Sequence, residues 1–309
     1  MTLKLLEGSG GGGVAGAAAA AVHSRRRDAP GGRRLRGGVS VRRRVQVDAA
    51  APAAPLQRLL AACRRAFGGG PGTVPAPDDV ALIRGILDKM GPEDVHLSAV
   101  IKAAAASGVQ RRRRPIITRT TIYECRNFSI VIFLLPPGGV IPLHNHPGMT
   151  VFSKLLQGSL HVKSYDWATG VAGAGDDDGS PVPGGKEKLM RLARLVRDED
   201  LRAPCDTLVL FPESGGNMHR FDAGAAAACA ILDVLGPPYS GDRDCTYYQD
   251  LPYSHHHLLD DDRADDETGG DGERTAAEEA RRRLGWLLET GKPKELEMYE
   301  VPYSVHPFL

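Results

Sequence analysis

Residues 138–148 constrain the fold of this 309-residue chain more than any other segment. Their sequence, GGVIPLHNHPG, carries two histidines, His144 and His146, that are separated by one residue. In an extended strand, residues i and i+2 project to the same face, so the two imidazoles can reach one cation, whereas a helix would turn them apart. The pair therefore favours a metal site built on β-structure, although two ordinary surface or core histidines remain the alternative when the pair is taken alone.

The surrounding region, about 115–250, consists of short β-strand patterns that are separated by Pro and Gly. Apolar residues alternate along 128–134, and a Gln157-Gly158 turn divides two further runs, 150–156 and 160–167. Later runs occupy 207–211 and 227–235. Strand patterns at this spacing are typical of a β-sandwich or a small barrel. We therefore predict a mainly β fold.

Amphipathic patterns predict a few helices that pack at the N- and C-terminal sides of the β region. Apolar residues recur at helical spacing from Leu56 to Phe67 and from Val80 to Met90, which places helices within 51–110. Leu284, Leu287 and Leu288 have the same spacing and predict a last helix over about 276–289.

Composition separates a leader from the domain that follows. Residues 1–50 are rich in Gly, Ala and Arg and predict disorder, so we expect one domain over 51–309, with disordered loops near 170–186 and 258–275. The arginine clusters of the leader are read as a solvated basic tail, with a nuclear-import or nucleic-acid patch as the alternative.

Charge and cysteine usage narrow the class of protein. The 39 Lys+Arg and 38 Asp+Glu leave a net charge of +1, which indicates no particular polyanionic partner. Five widely spaced cysteines without a CxxC pair favour a reduced, intracellular protein, and no stretch has the length of a membrane span. We expect a soluble monomer that binds neither membranes nor nucleic acid directly.

A third histidine, His219, follows a turn-rich stretch and could complete a set of three imidazoles. Gly138, the histidine pair and Gly158 have the spacing of the first cupin motif, and Pro212 with His219 resembles the second motif with two additional residues between them. The common motif has a ligand glutamate where this chain has Val151. A neutral set of three histidines would leave more of the ion's charge to be offset by an anionic substrate such as a thiolate.

Four segments carry a closer resemblance: IYEC at 122–125, IPLHNHPGMTVFSKLL at 141–156, KSYDW at 163–167 and LDVLGPPY at 232–239. They closely resemble the plant cysteine oxidases, the plant relatives of animal 2-aminoethanethiol (cysteamine) dioxygenase. The resemblance implies a cupin fold, that is, a double-stranded β-helix (jelly-roll) barrel. It also implies one Fe(II) per chain, held by His144, His146 and His219.

The same resemblance implies the reaction and its setting. O2 would oxidise the N-terminal cysteine of a target protein to cysteine sulfinic acid, and the targets would be transcription factors that are degraded in an oxygen-dependent way during the hypoxia response. The expected locations are the nucleus and the cytoplasm. Two other functions remain open: a zinc-binding cupin isomerase or hydrolase, and a cupin binding module without activity.

Two further residues become candidates through the resemblance. Asp233 would lie close to the metal pocket and bind the substrate amine or a water molecule, against the alternative of an ordinary carboxylate at a strand end. Tyr239 would place a phenol in the same cavity, against the alternative of a core or rim tyrosine. Cys245 is interpreted as structural.

Overall fold

The computed structural model describes residues 54–108, 115–168, 190–241, 243–255 and 282–305. Three α-helices come first, followed by the strands: α1 (Pro55–Ala66), α2 (Pro77–Leu87) and α3 (Leu97–Ala106), with a short 3₁₀ helix at Pro92–Val95. The first strands are β1 (Ile117–Glu124), β2 (Ser129–Leu135), β3 (Val140–His144), β4 (Thr150–Gln157), β5 (Ser159–Trp167) and β6 (Met190–Arg202). The others are β7 (Leu208–Leu210), β8 (Met218–Asp222), β9 (Cys229–Gly236), β10 (Tyr247–Pro252), β11 (Leu284–Thr290) and β12 (Met298–Glu300), with a 3₁₀ turn at Tyr253–His255.

The strands form two sheets. One sheet has the order β12-β1-β2-β9-β4-β7, and the other closes into a ring in the order β10-β11-β6-β5-β8-β3. Within the sheets every neighbouring pair is antiparallel except β1 with β12. The ring closes where Tyr247 of β10 pairs with His144 of β3. This mainly β architecture confirms the predicted cupin jelly-roll.

The helices cover the outer face of the first sheet. Successive side chains of a strand point to opposite faces, and the even-numbered residues of β2 and β9, such as Ile132 and Leu232, share one apolar core with α1, α2 and α3. Phe67, just after α1, stacks on Phe128 at 5.7 Å between ring centroids and lies so close to Gly236 that a Cβ there would overlap the ring. The helices predicted within 51–110 therefore act as packing elements.

The odd-numbered residues of the same strands face the other way. Ile231 of β9 packs in a second core with Leu135, Leu160 and Phe221, which come from both sheets. By the alternation of side chains along a strand, Asp233 lies on this inner face, in register with Val131 of β2 and Ser153 of β4. The inner face therefore carries two buried polar residues in register, Ser153 of β4 and Asp233 of β9.

The predicted last helix over about 276–289 is wrong from residue 284 onward, whereas Arg282 is helical and Arg283 lies in a turn. Residues 284–290 form strand β11, which is hydrogen-bonded between β6 and β10 and buries Gly285 and Leu287. The leucine spacing fits a helix, but strand alternation places Leu287 inside as well, and pairing on both sides outweighs local preference. Residues 276–281 lie outside the described residues, as do the predicted leader 1–50 and the loops near 170–186 and 258–275.

All described residues belong to the unit Ala53–Leu309. Among the described helices, none combines the length and the apolar character that a bilayer crossing requires.

Candidate metal centre

Three buried histidines converge on one point of the barrel. His144 ends β3 and pairs in register with His219 of β8, and His146 follows two residues after His144. The exposed fractions of the three residues are 8%, 2% and 4% in the order His144, His146, His219. One ring nitrogen of each lies within 4.8 Å of the other two. The structure thus brings together the three histidines that the sequence analysis proposes as ligands.

Two of the imidazoles are fixed by backbone carbonyls. His144 Nδ1 lies 2.8 Å from the Pro142 carbonyl oxygen, and His146 Nδ1 lies 2.9 Å from the Asn217 carbonyl oxygen. Because a carbonyl oxygen only accepts hydrogen bonds, each Nδ1 carries the proton and donates it, which leaves the lone pair on Nε2. Nε2 is then the atom of both rings that is available to bind a metal.

Burial keeps the imidazoles neutral. It lowers the pKa of His144 to about 4 and, together with the neighbouring His144, the pKa of His146 to about 3. Burial, with the charges of the other two rings, also lowers the pKa of His219 well below its usual value. Neutral imidazole is the form that binds a metal, so the centre is ready for a cation at neutral pH.

The donor set fits a cation with open coordination positions. Val151, at the position of the common cupin glutamate, is fully buried on β4 in an apolar cluster with Val131, Met149, Leu210 and Leu235. The cluster of metal-ligating side chains therefore consists of three neutral nitrogens. Three imidazoles suit iron and zinc, and both metals can keep further positions for water or substrate.

The segment between β9 and β10 forms a wall beside the centre. The Tyr239 hydroxyl donates to the Asn145 carbonyl oxygen at 2.8 Å, and the Thr246 amide donates to Asn145 Oδ1 at 2.9 Å. The Tyr239 ring lies 5.7 Å from the His146 ring, between centroids, and the Tyr247 ring 6.3 Å from the His144 ring. The Tyr239 ring therefore lies beside His146, and its hydroxyl is bonded to the backbone between His144 and His146.

Asp233 is a buried carboxylate with an oxygen that has no protein partner. It is 5% exposed, and its Oδ1 makes no hydrogen bond to any residue that the structure describes. Burial raises its pKa to about 7. Ser153, in register with Asp233 on β4, partly opposes that rise in pKa. The pKa of Tyr239 is raised well above its usual value, mainly by burial and then by Cys245, Tyr247 and Asp233. The Asp233 carboxylate therefore lies close enough to interact electrostatically with the wall. Buried polar atoms usually have hydrogen-bond partners, so the Asp233 Oδ1 oxygen is a candidate to bind a polar group in the interior.

Cys245 lies in the same wall as Tyr239 and Tyr247. Burial raises the pKa of its thiol to about 11, so the protonated thiol predominates at neutral pH. Its structural role stays a prediction.

Asn145, Asn217 and Asp166 were missed by the sequence analysis. Asn217 holds the His146 backbone, Asp166 holds the turn that precedes His219, and Asn145 ties the turn between the first two ligands to β10. For Asn145 and Asn217 the available signal was the type of residue, because Asn at a turn often bonds to backbone groups. Asp166 lies within β5 and had no such local signal.

Comparison with known proteins gives consistent matches. The family model PCO_ADO matches residues 86–308. Plant cysteine oxidase 2 of Arabidopsis thaliana is 43% identical over 254 residues, covering 81% of this chain and 82% of that protein. Plant cysteine oxidase 1 of the same plant is 47% identical, and the match covers 68% of this chain and 69% of that protein. 2-Aminoethanethiol dioxygenase of Mus musculus is 34% identical, and the match covers 59% of this chain and 72% of that protein.

Proposed function

This chain belongs to the PCO_ADO family, and on that premise we propose which metal and which substrate it uses. Its activity is that of a thiol dioxygenase acting on cysteine. We infer that the metal is Fe(II), one per chain, and that the substrate is the N-terminal cysteine of a target protein. The observation that carries the proposal is the buried cluster of three neutral histidines with valine in place of the common carboxylate ligand.

The proposed reaction adds both atoms of O2 to the thiol: one R–SH and one O2 give one sulfinic acid, R–SO2H, and no other reactant is consumed. When bound, Fe(II) would supply a shared position for the sulfur and O2 and would favour the thiolate form of the substrate. Three neutral ligands leave the full charge of the ion to offset that thiolate.

The protein's own part is to hold the ligands and the substrate amine. Pro142 and Asn217 orient two imidazoles through their carbonyl oxygens, and Tyr239 steadies the turn between those rings. Asp233 offers an unpartnered oxygen on the inner face of β9, and we propose that it accepts a hydrogen bond from the α-ammonium of the substrate. Burial of that pair would strengthen the interaction relative to water.

The cellular setting is part of the proposal. We propose that the targets are transcription factors whose degradation depends on O2, as in a hypoxia response, and that the protein acts as a monomer in the nucleus and the cytoplasm. The resemblance to the plant cysteine oxidases supports this setting, and the scattered cysteines suit a reducing compartment. Imaging of a tagged full-length chain, and target abundance at low and normal O2, test it.

A peptide assay tests the chemistry. Anaerobically purified protein, loaded with Fe(II), should add two ¹⁸O atoms from ¹⁸O2 to a peptide that begins with Cys. Matched peptides that begin with Ser, or whose N-terminal Cys is acetylated, should remain unmodified because they lack the thiol or the free amine. His219→Ala should lose both metal and turnover.

Metal analysis separates the remaining alternative, because three imidazoles also suit zinc as a Lewis acid. Stoichiometric zinc after native purification, together with no oxygen uptake by iron-loaded protein, would overturn the iron proposal. A chain that binds metal but modifies no Cys-initiating peptide would overturn the proposed substrate.

A further inference from the structure

Asn217 contacts His146 through three hydrogen bonds. The His146 amide donates to Asn217 Oδ1 at 3.0 Å, and Asn217 Nδ2 donates to the His146 carbonyl oxygen at 3.0 Å. The third bond runs from His146 Nδ1 to the Asn217 carbonyl oxygen. One asparagine therefore fixes both the backbone and the ring of a metal ligand, and it is only 5% exposed.

Asp166, at the end of β5, holds Asn217 from the other side. A single oxygen, Asp166 Oδ1, accepts the amide hydrogens of Gly216 and Asn217, both at 2.9 Å. Asn217 Nδ2 also donates to the Phe211 carbonyl oxygen at 2.8 Å, which ties the turn to the end of β7. These bonds form a continuous path from β5 through the turn to His146.

The turn reaches this geometry because position 216 is glycine. Gly216 has φ of +88°, which side chains other than glycine rarely adopt, and a Cβ there would lie 2.5 Å from Ser164 Oγ. Ser164 pairs in register with His219, so the turn packs directly against the strand pair that carries the third ligand. The amides of 216 and 217 thus point at Asp166 while the Asn217 side chain points at His146.

We propose that Asp166 and Asn217 are positioning residues for the metal: together they hold the His146 imidazole in the orientation and tautomer that present Nε2. Neither side chain is a ligand, and neither needs to touch the substrate. The inference rests on the three-histidine centre and is independent of which thiol is oxidised. Partners behind ligating histidines are worth about 10–100-fold in metal affinity, which sets the expected size of the effect.

Metal affinity and a metal spectrum test the inference without turnover. Fe(II) affinity is measured anaerobically by competition with a chromophoric chelator, and Co(II) is used as a spectroscopic probe of ligand geometry. Asn217→Ala removes the three side-chain hydrogen bonds of Asn217, two to the His146 backbone and one to the Phe211 carbonyl oxygen. It should weaken Fe(II) binding by about 10–100-fold and change the Co(II) absorption bands. Asp166→Ala should weaken binding in the same direction, by about tenfold at the low end of that range.

A conservative variant and a matched control separate positioning from general loss of structure. Asp166→Asn can keep one oxygen toward both amides, so it should restore wild-type affinity and bands. Asp222→Ala removes a carboxylate that accepts the Gly224 amide at 2.9 Å and pairs with Arg220, at the opposite end of β8 from His219. It should leave affinity and bands unchanged, and melting temperatures of the metal-free proteins show that all variants are folded.

The inference is overturned if folded Asn217→Ala has the Fe(II) affinity and the Co(II) bands of the wild type. It is also overturned if Asp166→Asn binds Fe(II) as weakly as Asp166→Ala does. If Asp166→Ala does not fold, Asn217→Ala and Asp166→Asn decide by the same two measurements. Failure of the proposed function would look different. If the variants change Fe(II) affinity as predicted but the iron-loaded wild type oxidises no peptide, the proposed substrate is contradicted and this inference stands.

Discussion

At the residue scale, Val151 is an apolar residue at the position where the common cupin motif has a ligand glutamate. Its side chain is fully buried in an apolar cluster on β4, in register with Leu210 and Leu235, so a carboxylate there would have to be desolvated. The histidines bring no negative charge, and a bound divalent cation would keep its full attraction for an anion. Asp233 is a buried carboxylate on the inner face of β9, and we propose that it binds the substrate amine and not the metal.

Asp233→Asn should impair the reaction without removing the metal. The change keeps the shape of the side chain and removes the charge that we propose pairs with the ammonium group. A hydrogen bond to a charged group is worth about 1.5–3 kcal/mol, so kcat/KM for a Cys-initiating peptide should fall by about 10–100-fold. Asp222→Asn is the control for losing a carboxylate in the same barrel. Unchanged kcat/KM in Asp233→Asn would exclude the proposed role.

Tyr239→Phe should have a mild effect, because the hydroxyl bonds to the Asn145 backbone and the ring beside His146 remains. Losing one such hydrogen bond costs about 0.5–1.5 kcal/mol, which corresponds to less than about tenfold in activity if the bond only positions the turn. Urea unfolding and peptide kinetics measure the two effects. Loss of nearly all activity with stability intact would instead place the hydroxyl in the chemistry.

At the scale of elements, the turn between β7 and β8 is tightly constrained by Gly216 and by the hydrogen bonds of Asn217. Gly216→Ala combines a positive φ with a Cβ that would lie 2.5 Å from Ser164 Oγ, whereas Gly224→Ala has a positive φ and open space around the Cβ. Gly224→Ala should therefore cost about 1–2 kcal/mol of unfolding free energy, and Gly216→Ala about 1–3 kcal/mol more from overpacking. Chemical denaturation measures both variants. Equal losses would mean that the turn moves away from Ser164 without cost.

The pairing of β5 with β6 should depend weakly on pH through His161. Its ring lies 2.8 Å from Asp200 and 2.8 Å from Asp198, and the hydrogen bond to Asp200, then that to Asp198, raises its pKa above the usual 6.5. Because the folded-state pKa is the higher one, the stabilisation is fully present below about pH 6.5 and disappears as pH rises through the folded-state value.

His161→Gln measures this contribution. The side chain is 42% exposed, so solvent screening limits the gain to about 0.2–1 kcal/mol. Wild type should melt up to about 2–4 °C above His161→Gln at pH 5.5, and the difference should vanish at pH 8.5. A difference that grows with pH would contradict the assignment.

The sequence predicted those parts of the site that depend on local geometry. The spacing of His144 and His146 is a local feature of the sequence, although His144 ends β3 and His146 lies just beyond it. His219 was predicted from the motif around it. Asp166 and Asn217 could not be paired in advance, because their contact depends on the register of β5 against β8. The same limit explains β11: Leu284, Leu287 and Leu288 fit a helix, and only the neighbours β6 and β10 make the segment a strand.

At the scale of the whole molecule, a bound metal would join segments that are distant in the sequence. His144 and His219 are 75 positions apart in the numbering and lie on paired strands, and Asn217 and Asp166 extend the connection to β5. An unfolded chain cannot hold three imidazoles in this arrangement, so metal binding should stabilise the folded state selectively. Free metal at about 100 times its Kd would add about 2.7 kcal/mol, or roughly 5–10 °C in Tm for a domain of this size.

Calorimetry under anaerobic conditions tests this coupling with Fe(II) and with Zn(II), followed by excess chelator. Wild-type Tm should rise with either metal and return to the metal-free value with chelator. His219→Ala should show no rise, whereas Asp222→Ala, which leaves the ligands intact, should show the full rise from its own baseline. Hydrogen exchange should slow in β3 and β8 of the wild type when metal is added, because opening that strand pair would then require loss of the ion. A wild-type Tm that ignores both metals would mean that the three histidines do not form a metal centre in solution.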